Sequence, residues 1–96
     1  MYGRIGKIIT VEGKREELVE ILLSGTSMPG CLSYVVAADS TGPNGLWISE
    51  VWETRANHSA SLSLPAVRDA IARGKPLIAG FSHGVETVRL GGHGLK

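Results

Sequence analysis

Residues 39–45, Asp39-Ser-Thr-Gly-Pro-Asn-Gly45, hold nearly every residue type that favours a tight turn, and they separate two apolar, β-branched runs. The runs are Cys31 to Ala38 (CLSYVVAA) and Leu46 to Glu53 (LWISEVWE). Two strands joined by so short a connection form an antiparallel hairpin, because parallel strands need a long crossover. Any fold of this chain must be built around that hairpin.

The segments on either side complete the pattern. Tyr2 to Val11 contains IGKIITV and stops at Glu12-Gly13, which predicts a first strand. Gly3 and Gly6 within it predict a close approach by something packed above. In KREELVEILLSG, Leu18, Ile21, Leu22 and Gly25 recur at helical spacing opposite Lys14, Arg15, Glu16, Glu17 and Glu20. This is a first helix, ending near Gly25. Met28-Pro29-Gly30 reads as a turn.

Thr54 is placed to cap a short helix over RANHSASL, and Pro65 fits the first turn of a further stretch, PAVRDAIARG. Ala66, Ala70, Val67 and Ile71 give that stretch a small-residue apolar stripe, which Gly74 and Pro76 stop. Phe81 to Leu90 predicts the last strand, and residues 91–96 a mobile tail.

The order β, α, β, β, α, β predicts an α+β, ferredoxin-like domain. A four-stranded antiparallel sheet carries its helices on one face. The chain of 96 residues is read as this single domain, with its core over about residues 2–90. A domain of this size has a modest core. The helix-free face carries apolar residues on several strands, so a second copy is expected to cover it, giving a homodimer.

Composition removes several functions. The net charge of +1 gives no general pull toward nucleic acid or a membrane surface. No run approaches the roughly 18–20 apolar residues of a membrane span. The N-terminus lacks the layout of a signal peptide, so the cytoplasm is the default location. A lone cysteine, Cys31, closes no intrachain disulfide and reads as a strand filler. No phosphate loop, dinucleotide fingerprint or paired metal-ligand spacing occurs, and His58, His83 and His93 stand far apart. Neither metal nor cofactor is expected.

Three phrases in order resemble the antibiotic-biosynthesis monooxygenase superfamily: PGCLSYVVAAD (29–39), LWISEVWETRANHSASLSLPAV (46–67) and KPLIAGF (75–81). The likeness spans about residues 2–88. It implies a dimeric α+β barrel with a pocket between sheet and helices in each subunit. It also implies oxidation of phenolic or quinol-type aromatics by O2 without metal or flavin. Trp52 matches the family tryptophan that lines the pocket. His58 falls where relatives carry tyrosine or histidine, and Ser61 falls where quinol-oxidising relatives often carry a second histidine. Ile48, Ala37 and Ile71 lie nearest to positions where phenol-oxygenating members place asparagine, histidine and arginine. The haem-degrading branch places an asparagine on the first strand and a histidine on the second helix, whereas the first strand here has no asparagine and the helix position falls near Ile71.

The candidate base is His58 or Glu50. A histidine titrating near neutrality accepts a phenol proton, and a carboxylate in an apolar strand becomes a stronger base on burial. Glu50 has a structural alternative, an ion pair with Arg4, Lys7 or Arg68. His58 has one too, a hydrogen-bonded surface histidine. Trp52, Tyr34, Ser61 and Leu62 are the candidate contacts for an aromatic or quinone-like small molecule. Ile48, Glu50 and Trp52 alternate and share one sheet face, with Trp47 on the other. His58 and Trp52 are expected to share one cavity. The competing function is a non-enzymatic homodimer that binds a hydrophobic small molecule, and a haem-binding enzyme stands third.

Overall fold

A computed structural model describes residues 1–24 and 28–93. The helix end expected at Gly25 and the last three residues of the tail lie outside the described residues. Strands β1 (Tyr2–Thr10), β2 (Cys31–Ala38), β3 (Gly45–Trp52) and β4 (Ile78–Val88) alternate with helices α1 (Arg15–Leu22), α2 (Arg55–Ser61) and α3 (Pro65–Gly74). The sheet is antiparallel throughout, in the order β2-β3-β1-β4. This is the ferredoxin-like arrangement, with the hairpin β2–β3 on one side of β1 and the last strand on the other.

The register assigns the two faces. Ile8 stands opposite Leu46, Gly6 opposite Ile48, Arg4 opposite Glu50 and Tyr2 opposite Trp52. Directly opposed residues point to the same side, so this set faces the helices. Ile8, Leu46 and Ile48 pack there with Leu18 of α1 and Leu77 to form the core. Leu18 is 1% exposed and is the one residue of α1 that is fully buried. Glu16 and Glu17 occupy the first turn of α1, where acidic side chains complement the helix dipole. Arg15 donates from Nη1 to the carbonyl of Gly42 at 2.9 Å, tying α1 to the β2–β3 loop.

Several details depart from the sequence reading. The Lys75–Leu77 segment continues α3 as a 3-10 turn, and β4 begins at Ile78 instead of Phe81, because Ile78 already pairs with Thr10. Glu50 makes no ion pair with Arg4, Lys7 or Arg68 among the described residues. Lys7 lies on the opposite face of the sheet, 3.7 Å from Asp39, because strand alternation turns it away from Glu50. The close approach expected above Gly3 and Gly6 takes another form: a Cβ at Gly3 would overlap the side chain of Thr87, its cross-strand neighbour on β4, and one at Gly6 would meet only the His83 carbonyl at 3.5 Å. Cys31 is half-buried rather than enclosed, and burial pushes its thiol pKa up.

Helix α3 leans on α1 and the 3-10 turn rather than on the sheet. Its sheet-facing side carries Val67 and Ile71 with the small residues Ala66, Ala70 and Gly74, and the small residues do not span the gap below. A space remains between the layers.

Candidate functional site

That space is a cavity of about 830 Å3 between the sheet and α2–α3. It lies within the roughly 300–1,000 Å3 typical of small-molecule sites. Tyr34, Glu50 and Trp52 form its sheet wall, and Ala66, Val67, Ala70 and Ile71 its roof. His58, Ser61 and Leu62 close the α2 end. All six candidate residues named from the sequence therefore border one cavity.

The geometry begins at the β3–α2 junction. Trp52 ends β3, is 1% exposed, and donates from Nε1 to Glu50 Oε1 at 3.0 Å. Residues two apart on a strand share a face, so this bond fixes both the indole and the carboxylate. The chain then turns into α2, whose first turn is capped by Thr54: Oγ1 accepts from the Asn57 N–H at 3.1 Å. The backbone N–H of Glu53 donates to the Gly30 carbonyl at 2.8 Å and anchors the junction to β2. A fixed helix start fixes the direction of residue 58. The His58 ring lies 5.4 Å from the Trp52 ring, centroid to centroid, at 74°. This edge-to-face contact is a favoured aromatic geometry.

Burial lowers the His58 pKa below its ordinary 6.5, and the positive charge of Arg4 lowers it further against the opposing pull of Glu50. The imidazole is therefore neutral at neutral pH and carries a lone pair able to accept a proton. Tyr34 behaves oppositely: burial, with Glu50 close by, pushes its phenol up to about 12, so it stays protonated as a donor. The cavity thus holds an acceptor imidazole, a donor phenol and an oriented carboxylate on mostly apolar walls.

The remaining two candidates differ in what they offer. Ser61 is buried, and its hydroxyl donates to the His58 carbonyl at 2.6 Å. Its proton is committed within α2 and is not free for a ligand. Leu62 is 48% exposed and stands at the cavity mouth.

The sequence reading missed a polar cluster beside His58. Tyr2 donates to Glu86 Oε2 at 2.5 Å, Arg4 Nη1 donates to the Tyr2 hydroxyl at 3.1 Å, and Arg55 pairs with Glu86 Oε1 at 2.7 Å. The Tyr2 ring lies 5.7 Å from that of His58. Hydrogen bonds from Tyr2 and Arg55 hold the Glu86 carboxyl below the usual range. Alternation alone puts Tyr2 and Arg4 on the face of Ile8. The arrival of Glu86 depends on β1–β4 pairing across more than eighty positions, for which no local signal exists. Among the described residues, no group of three or more His, Cys, Asp or Glu side chains is arranged to hold a metal ion. No described helix is long and apolar enough to cross a membrane.

A ferredoxin-like sandwich with a mostly apolar cavity, a neutral histidine and a tryptophan wall defines a small-molecule site. The family model for antibiotic biosynthesis monooxygenases matches residues 1–73, and the chain belongs to that family. A solved protein from Chloroflexus aurantiacus, provisionally named an antibiotic biosynthesis monooxygenase, is 54% identical. The match covers 99% of this chain and 98% of that one, with a TM-score of 0.94. A Deinococcus radiodurans protein with the same provisional name is 22% identical over 100% and 99% of the two chains, TM-score 0.78. A Bacteroides thetaiotaomicron protein, also so named, is 21% identical over 99% and 93%, TM-score 0.82. The last two establish the fold. No curated protein is significantly similar. Family and neighbours together support a monooxygenase-type reading.

Proposed function

We propose that this protein is a cofactor-independent monooxygenase that oxidises a phenolic or quinol-type aromatic with O2, as a homodimer. The observation that carries the reading is the neutral His58 imidazole against Trp52 inside an apolar cavity of aromatic-ligand size.

Triplet O2 reacts slowly with closed-shell organic molecules, whereas an electron-rich phenolate passes it one electron directly. The protein must supply a base, a dry pocket and a donor near the developing peroxide. In this reading His58 takes the phenol proton and the phenolate gives one electron to O2. The radical and superoxide then join at a ring carbon to form a peroxide. Loss of the ring hydrogen and cleavage of the O–O bond give the quinone and one water. Both oxygen atoms are accounted for, and the substrate supplies all the electrons. Tyr34 is the donor for the peroxide, Trp52 is the wall for the ring, and Glu50 holds the indole. Glu50 serves as the base only if His58 proves dispensable.

The homodimer reading is supported by the helix-free face. Ile5, Val35 and Val85 are 39%, 51% and 55% exposed there in the single chain.

The test is oxygen consumption by purified, metal-stripped protein with 1-naphthol and with substituted hydroquinones. Turnover above the uncatalysed rate, with one O2 consumed per quinone formed from the naphthol, is the expected result. Binding without oxygen uptake leaves a non-enzymatic carrier of hydrophobic small molecules.

A further inference from the structure

A second cavity of about 490 Å3 opens from the first. The two share the walls Ile8, Leu22, Tyr34, Glu50 and Phe81. The floor of the smaller lobe is bare backbone: Gly6 of β1 and Gly84 of β4 are paired and face the helix side. A Cβ built on Gly84 would meet nothing within 4 Å, so the space above it is open.

Arg4 stands at the edge of this floor. Its strand neighbours are two carboxylates, Glu50 on β3 and Glu86 on β4, yet it pairs with neither within 4 Å among the described residues. Each acid is turned to another partner. Glu50 accepts from Trp52, and Glu86 accepts from Tyr2 and Arg55. Of the five N–H donors of a guanidinium, Arg4 directs one to the Tyr2 hydroxyl. Lys7 and His83 also border the lobe, but their side chains turn to the opposite sheet face, where both lie against Trp47. Arg4 is half-buried, so its charge is poorly solvated and favours an anion placed beside it.

We propose that Arg4, above the Gly6–Gly84 floor, is an anion anchor that selects aromatic substrates bearing a carboxylate. The carboxylate lies in the smaller lobe and the hydroxylated ring in the larger one, beside His58. Arg4 lines the smaller lobe and not the larger one, which fixes the direction of binding. This deepens the proposed function and rests on the same cavity holding the substrate ring.

The experiment is equilibrium binding under nitrogen, so that no oxidation occurs, with 1-hydroxy-2-naphthoate and 1-naphthol as a matched pair. The wild type is expected to bind the acid about tenfold more tightly, the size of one charge-assisted contact. Arg4→Gln removes that preference while leaving 1-naphthol affinity unchanged, and the unchanged affinity reports an intact cavity. Arg4→Lys restores part of the preference, since an ammonium keeps the charge but loses the fork. Equal binding of the two ligands by the wild type overturns the anchor, as does a preference that survives Arg4→Gln. Loss of both affinities together in Arg4→Gln also overturns it, because the residue then serves the fold. A preference without any oxygen consumption keeps the anchor and overturns the oxygenase reading alone. Failure of both ligands to bind overturns both.

Discussion

The imidazole of His58 stands edge-on to the indole of Trp52, with ring centroids 5.4 Å apart and planes at 74°. One side chain comes from the last residue of β3 and the other from the second turn of the cap-fixed helix α2. The contact therefore reports how the sheet layer meets the helix layer.

If His58 is the base, His58→Ala should lower kcat by about 10²-fold or more, the usual worth of a positioned general base. Its acid limb follows from the lowered pKa: the neutral form is the active one. The kcat/KM of the free protein should hold steady through pH 6.5 and fall only as pH drops through the depressed value. Stability has the same sign. The contribution of the buried neutral ring is complete above pH 6.5 and is lost as pH falls from there through the folded-state pKa. A pH–rate profile checks the first, and thermal unfolding of wild type against His58→Ala across that range checks the second. An acid limb centred above pH 6.5 would contradict the assignment.

Gly30→Ala should damage the site without touching it. Gly30 has φ +82°, and an added Cβ would lie 2.4 Å from the Asn57 side chain. The left-handed backbone costs a non-glycine residue ~1–2 kcal/mol. The collision pushes α2 off its Thr54 cap and moves His58 from Trp52. We expect a lower melting temperature and weaker quenching of tryptophan fluorescence by naphthol, whereas Gly13→Ala (φ +77°, nothing within 4 Å) should show only the backbone cost.

Tyr34 should remain a neutral phenol until about pH 12. Ultraviolet titration of a Tyr2→Phe variant isolates it. Because the folded-state pKa is raised, its contribution to stability is complete below the ordinary value of 10.0. That contribution is lost as pH rises from there toward 12. A titration midpoint near 10 would show that the phenol is not enclosed.

Val85→Glu places a charge on the helix-free face, where Val85 stands opposite Ile5. In a homodimer this breaks the interface, which should bury at least about 1,000 Å2 in total. Light scattering should then report one chain of 10.2 kDa for the variant and two for the wild type. A wild-type mass of one chain removes the dimer from the proposal.

The sequence by itself determined the order of elements. The turn-dense residues 39–45, the cap Thr54, the first-turn Pro65, and the alternation of Ile48, Glu50 and Trp52 are local signals, each set by backbone stereochemistry or by which side of a strand meets water. They also carried the likeness to the family, and the short Glu53 to Ala56 connection carried the expectation that His58 and Trp52 meet. Contacts between distant strands required the tertiary structure. Glu50 reads as half of an ion pair because Arg4 and Lys7 carry the nearest plausible charges, but register and alternation send Lys7 to Asp39 and leave Trp52 as the Glu50 partner. The Tyr2–Arg4–Arg55–Glu86 cluster and the Gly6–Gly84 floor exist only because β4 pairs with β1 in one register. Pairing energy is spread along the whole ladder, so no single residue announces it. The cavity has the same origin. Ala66, Ala70, Val67 and Ile71 mark a small-residue apolar stripe in the sequence, but only the docking of α3 on α1 turned that stripe into the roof of an open space.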